Sequence, residues 1–195
     1  MAKHLETTEH TKATISEAFW LLYVKHGMDN VSVKDIINKA GYNRSTFYQY
    51  FDNKYAVLEY IEDGIIQHFI DALTMVYLNE AKLESSLDII AELYSSRAEY
   101  LSVLLGHNGN PAFFPKVKDK IYPLWMKIIR IANPNETSRL IFEYSVSGVF
   151  SAITHWYNNG ATISSKELAG MMRQIAFNGA VSEIAKLENK SFDSQ

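Results

Sequence analysis

Apolar side chains recur at helical spacing along almost the whole chain, and nothing competes with that rhythm. Ile15, Ala18, Phe19, Leu22 and Tyr23 follow i, i+3, i+4, i+7, i+8, and Val57, Leu58, Ile61, Ile65, Phe69 and Leu73 repeat the habit further on. No stretch alternates apolar and polar residues between hairpin turns, the pattern that a half-buried strand requires. Breakers are few: 9 glycines and 4 prolines in 195 residues, with the prolines confined to positions 111–134. An all-α fold follows.

Caps and breakers divide the pattern into helices. The first is predicted over residues 10–26, stopped by Gly27. The second covers 33–40, with Ser32 as N-cap, Asp35 as its acidic partner three residues on, and Gly41 at its end. A short third helix, 44–50, has Asn43 as N-cap. A long fourth begins after Asn53 and reaches about residue 78. Further helices are predicted over 83–105, 111–132 with a break near Pro123, 136–157 and 166–187, leaving 189–195 as a frayed tail.

Helices two and three are joined by a tight turn containing Gly41 and have a preceding helix to pack on, which is the helix-turn-helix arrangement. Val33, Ile36, Ile37, Ala40, Phe47 and Phe51 supply its core. The other side of helix three carries Arg44, Ser45, Thr46, Tyr48, Gln49 and Tyr50, all hydrogen-bond donors, on a helix too short to be stable alone. Arginine pairs with guanine edges and glutamine with adenine, while threonine and tyrosine hydroxyls meet phosphate oxygens. Lys54 opens the fourth helix, where a cation opposes the helix dipole unless an anion such as a phosphate offsets it. Electrostatics agree in sign only. Residues 1–54 hold 7 Lys/Arg and 6 Asp/Glu, a net of +1 against -3 for the whole chain, so attraction to a polyanion must be local.

These elements together resemble the N-terminal DNA-binding domain of the TetR family of bacterial transcriptional regulators. The resemblance runs from Thr11 to Ile61 through Gly27, Ser32-Val33-x-Asp35-Ile36, Ala40-Gly41 and Thr46-Phe47-Tyr48-x-Tyr50-Phe51-x-Asn53-Lys54. It implies that Ser32, Thr46, Tyr48, Tyr50 and Lys54 contact phosphates, and that Lys34, Arg44, Ser45 and Gln49 face base edges of double-stranded DNA. Asn43, Ser45 and Gln49 depart from residues common in the family, so no operator sequence carries over, although a pseudo-palindromic one is implied. The arm and the first turn of the first helix have only Lys3 and Lys12 as cations.

The resemblance also implies that the remainder is a helical ligand-binding and dimerisation domain. On this reading residues 1–54 are the helix-turn-helix domain and 55–188 the effector and dimerisation domain. Residues 140–157 are apolar around nearly the whole helix circumference, with Glu143 the only charge, so several sides need cover. Small residues there admit a second helix, and 166–187 has a broad apolar face. Two such helices from each of two chains form a four-helix interface, predicted to use Phe142, Ser145, Gly148, Val149, Ala152, Met172 and Ile175 in a homodimer. Tyr94, Phe113, Trp125, Tyr144 and His155 are the predicted lining of a small-molecule effector pocket, with 106–114 as its entrance.

Other classes find little support. There is no cysteine, which removes disulfide scaffolds, thiolate zinc sites and thiol nucleophiles and fits a cytoplasmic location. No GxSxG, HExxH, P-loop or GxGxxG spacing occurs, so no enzyme, catalytic residue or cofactor is expected. His68 and Asp71 share a helix face without a third metal ligand, and no metal is expected. The polar N-terminus lacks a signal-peptide core, and no apolar run approaches the ~20 residues of a membrane span. The expected activity is sequence-specific regulation of transcription, as a repressor released by a small-molecule effector. The alternatives are a co-regulator or scaffolding dimer whose helix-turn-helix contacts protein, and a ligand-dependent activator.

Overall fold

The computed structural model describes residues 2–78, 96–97, 99–106, 109–128 and 131–178, and among these no residue is in a strand. In order come α1 (Ala2–His26), a 3-10 turn (Met28–Asn30), α2 (Val33–Ala40), α3 (Arg44–Tyr50), α4 (Lys54–Leu78), α5 (Phe113–Ile128), α6 (Glu136–Asn158) and α7 (Ser165–Asn178). Residues 99–104 are helical as well. Residues 96–97 are helical too and 105 is in a turn, while 83–95 and 98 of the helix predicted over 83–105, the end of the last helix and the tail from 189 lie outside the described residues.

Two boundaries differ from the sequence reading. α1 starts at Ala2, not near His10, since the segment before His10 contains no glycine or proline to interrupt it. α5 starts at Phe113, two residues past Pro111, because Asn110 first closes a turn, accepting from the Ala112 and Phe113 amides at 3.0 Å each. It also runs through Pro123 to Ile128 without the expected break. Proline removes one backbone hydrogen bond there, and Pro123 sits on the exposed side, where the freed carbonyl meets water.

The chain divides into two compact units, Met1–Ile66 and Gln67–Gln195. The first turns of α4 thus belong with the N-terminal unit, whereas the sequence reading ends that domain at 54. Val57 and Leu58 are buried, the Phe51 and Tyr60 rings meet edge to face at 5.6 Å, and the Tyr60 hydroxyl donates to Glu9 of α1 at 3.2 Å. Ile15, Phe19, Ile36 and Phe47 are fully buried and form the centre of this unit. Gly41 ends α2 in the left-handed region (φ 73°), with the Tyr42 amide reaching back to Ile37, a conformation that glycine adopts without strain.

The second unit is built on aromatic rings packed tilted or edge to face. Phe150 meets Phe69 and Phe114 at 5.6 and 5.0 Å, and Phe142 meets Tyr122 and Trp125 at 5.0 and 5.3 Å. Above the second cluster, Arg139 lies 4.6 Å over the Tyr122 ring and pairs with Asp119 and Glu143, while Lys118 also donates to Glu143. These two cations hold the Glu143 carboxyl below its ordinary range, Lys118 first. None of the described helices is long and apolar enough to cross a membrane.

Phe47 is the residue on which α3 turns, so Phe47→Ala should destabilise the N-terminal unit by about 3–5 kcal/mol. Urea or thermal denaturation followed by circular dichroism measures it; a loss below 1 kcal/mol would mean that α3 does not depend on that burial.

Candidate nucleic-acid interface

α3 has 7 residues, too few to hold a helix in water, and its form is imposed from both ends and from beneath. Phe47 is buried and packs against Phe51 at 6.0 Å. At the start, Asn43 caps the helix by accepting the Thr46 amide at 2.8 Å. At the foot of α2, Ser32 and Asp35 form a reciprocal capping box, Ser32 Oγ donating to the Asp35 carboxylate at 2.5 Å and accepting from the Asp35 amide at 3.3 Å. The hydrogen bond from the Ser32 side chain is the main reason that the Asp35 carboxyl titrates below its usual value.

With the aromatic side committed inward, the polar side of the helix faces solvent. Lys34, Arg44, Ser45, Tyr48 and Gln49 are exposed, and Thr46 and Tyr50 are half-buried at the edges. Arg44 and Tyr48 are coupled one turn apart, with the guanidinium 5.6 Å over the phenol ring and Nη2 3.4 Å from its hydroxyl. The exposed side chains supply two cations, an amide and two hydroxyls, which is the chemistry of base-edge and phosphate contact.

Four of the expected contacts are engaged within the protein. Ser32 is held in its capping box, and the hydroxyls of Ser45 and Thr46 both donate to Asn43 Oδ1, at 2.7 and 2.9 Å. Lys54 departs furthest from its expected phosphate role. Its ammonium donates to the carbonyls of Met28 and Val31 at 2.6 and 2.9 Å, closing the α1–α2 connection onto the start of α4. The cation does oppose the α4 dipole, but backbone carbonyls offset it. No pattern in the sequence announces this, because Met28 and Val31 are 26 and 23 residues away and contribute only main-chain oxygens.

The residues expected at the other two sites are scattered. Phe113 is fully buried and belongs to the core, Trp125 is packed on Phe142, and Tyr144 is 76% exposed, so these do not line one pocket. Tyr94 lies outside the described residues. His155 does line a groove of about 430 Å³, with Leu105, Phe114 and Phe150 on its apolar side and Ser147, Ser151, Thr154, Asn158 and Asn159 on its polar side. Ser147, Ser151, Thr154 and Asn158 form a stripe at i, i+4, i+7 and i+11 on α6, which also supplies Phe150, whereas Leu105 and Phe114 come from elsewhere in the chain. Of the expected interface residues, Phe142 and Met172 are buried within the unit at 0% and 7% exposure and cannot meet a second chain as expected. Gly148 and Ile175 are exposed, and Ser145, Val149 and Ala152 half-exposed, beside Leu140, Ile141, Tyr144 and Met171, which the sequence reading did not select. The helical phase decides this: Phe142 and Val146 point inward, so Ile141, Tyr144 and Gly148 point out.

Two family models match. That of the TetR-family bacterial regulatory proteins covers residues 16–61, and that of a transcriptional regulator C-terminal region covers 81–178, half of the chain. The chain belongs to the TetR family. Its α2–α3 pair is that family's helix-turn-helix DNA-binding element. Among curated proteins, an uncharacterised HTH-type transcriptional regulator of Bacillus subtilis, YvdT, is 32% identical over 66 residues, a match that spans 34% of this chain and 34% of the relative. Among solved structures, a TetR-family regulator from Syntrophomonas wolfei superposes with a TM-score of 0.72 at 18% identity, over 89% of this chain and 96% of that one. The fatty acid degradation regulator FadR from Bacillus halodurans superposes at 0.67 and 18% identity, over 87% and 96%. At such identities what is shared is the fold.

The Lys54 clamp gives this TetR-family chain a measurable dependence. Lys54→Ala leaves the Met28 and Val31 carbonyls without their donor and should cost the N-terminal unit about 1–3 kcal/mol. Thermal denaturation in the absence of DNA tests this, since a lysine that acts only on phosphate would leave the melting temperature unchanged.

Proposed function

We propose that the protein is a sequence-specific transcriptional regulator that binds double-stranded DNA as a homodimer and represses until a small-molecule effector binds. The observation that carries the reading is the outward polar face of α3, whose Phe47 is committed to the core while Arg44, Tyr48 and Gln49 remain exposed. In this assignment Arg44, Ser45, Gln49 and Lys34 meet base edges, and Tyr48 and Tyr50 meet the phosphate backbone, while Thr46 is held by the Asn43 cap. Ser32 and Lys54 hold the surface in shape and lie at its margin.

A single domain with so little net positive charge needs a second copy to bind well, and two-fold symmetry places two recognition helices about 34–36 Å apart on a pseudo-palindromic site. The exposed apolar row Ile141, Tyr144 and Gly148 on α6, with Met171 and Ile175 on α7, supports a homodimer through these helices. The groove beside α6 supports an effector with an apolar body and hydrogen-bonding groups along one edge. α4 runs from Lys54 to Leu78 and so belongs to both units, which makes it the element through which effector binding biases the spacing of the DNA-binding helices.

Footprinting of the full-length protein on genomic DNA, followed by titration of the protected duplex across a salt series, tests the reading. Affinity should fall steeply with salt, and Arg44→Ala should weaken the protected site by about 1–3 kcal/mol while leaving random duplex little changed. Binding indifferent to salt would favour a protein partner instead. For the dimer, Tyr144→Asp should shift sedimentation toward monomer and weaken operator binding with it; an unshifted dimer would place the interface elsewhere.

A further inference from the structure

The hydrogen-bond pattern at the start of α3 has a consequence for which base this protein reads. Asn43 Oδ1 lies 2.8 Å from the Thr46 amide. That contact fixes the amide orientation, because a flipped side chain would set its NH₂ group against another donor. An amide oxygen only accepts, so the hydroxyls of Ser45 and Thr46, at 2.7 and 2.9 Å from it, must both give it their hydrogens. A serine hydroxyl is ordinarily ambivalent, with one donor and two lone pairs. Held in this way, Ser45 Oγ has only lone pairs left to offer, and it does so on the exposed side of α3 beside Arg44.

We propose that Asn43 is a specificity-determining residue, which polarises Ser45 into an acceptor and so makes it select a base bearing an exocyclic amino group. In the major groove those groups are adenine N6 and cytosine N4, whereas guanine O6 and N7 and thymine O4 present acceptors that a polarised Ser45 repels. The same cap prevents Thr46 from donating to a phosphate oxygen, so anchoring to the backbone falls to Tyr48 and Tyr50. The inference rests on the proposed reading that α3 enters the major groove, with its N-terminal residues nearest the bases. It turns on two side chains in which this chain departs from residues common in its family.

Selection from a randomised duplex library by the full-length protein tests it, with Ser45→Ala, Asn43→Gly and Asn43→Asp run in parallel and each variant's fold checked by circular dichroism melting. Glycine is a tolerated N-cap, so Asn43→Gly removes the acceptor with little loss of helix stability. Wild type and Asn43→Asp, which keeps a capping acceptor, should enrich adenine or cytosine over guanine and thymine at one position per half-site by about five-fold. Ser45→Ala should flatten that position alone. Asn43→Gly should admit guanine or thymine there, since the freed hydroxyl can donate. The proposal is overturned if Asn43→Gly keeps the wild-type preference, or if the position that Ser45→Ala flattens is one where wild type prefers guanine or thymine. If wild type enriches no sequence at all, the DNA-reading assignment of α3 fails and this inference with it; enrichment at other positions only would overturn this inference alone.

Discussion

The burial of Phe47 holds the rest of the DNA-facing surface in place. A helix of 7 residues cannot form in water by its own hydrogen bonds, so α3 exists because its aromatic side has a core to enter. That commitment sets the helical phase, and the phase sets which residues are left outside. Arg44, Tyr48 and Gln49 are presented to solvent as the complement of Phe47 and Phe51, with the Tyr48 ring set edge to face on Phe47 at 5.4 Å.

Around that anchor, local hydrogen bonds decide what each polar residue has to offer. Residues of one chemical type fall into different roles. Arg44 and Lys34 keep their charge on the surface, while Lys54 is drawn onto the carbonyls of Met28 and Val31 and closes the α1–α2 connection. Ser32, Ser45 and Thr46 are all hydroxyls near the surface, and each gives its hydrogen to a capping side chain. Capping is needed because the first amides of a helix have no intrahelical acceptor, so a surface made of helix starts is also a surface of engaged side chains.

The second unit shows the same division of faces on a larger scale. α6 buries Phe142, Val146, Phe150 and Ile153 on one side, turns Ser147, Ser151 and Thr154 toward a groove on another, and leaves Ile141, Tyr144 and Gly148 outward on a third. One helix with three faces of different character accounts for the near absence of charge over residues 140–157, where Glu143 is the only charged side chain and is paired with Lys118 and Arg139.

Periodicity and caps were sufficient for the class of fold, the order of the helices, the helix-turn-helix and the polar outer row of α3, because each is a local property carried by spacings of three and four residues and by single residues such as Ser32, Asn43 and Gly41. What the sequence could not rank was which of several apolar residues on one helix turns inward. Phe142 and Tyr144 are two positions apart and both aromatic, yet one is buried and the other 76% exposed, and Phe113 proved to be core. Those assignments depend on which other helix lies against which face, a choice made by packing between segments distant in the chain. The sequence reading assigned Lys54 to a phosphate and missed its clamp for the same reason: its partners are main-chain oxygens that every residue possesses, and only the tertiary fold brings two particular ones within reach of its ammonium.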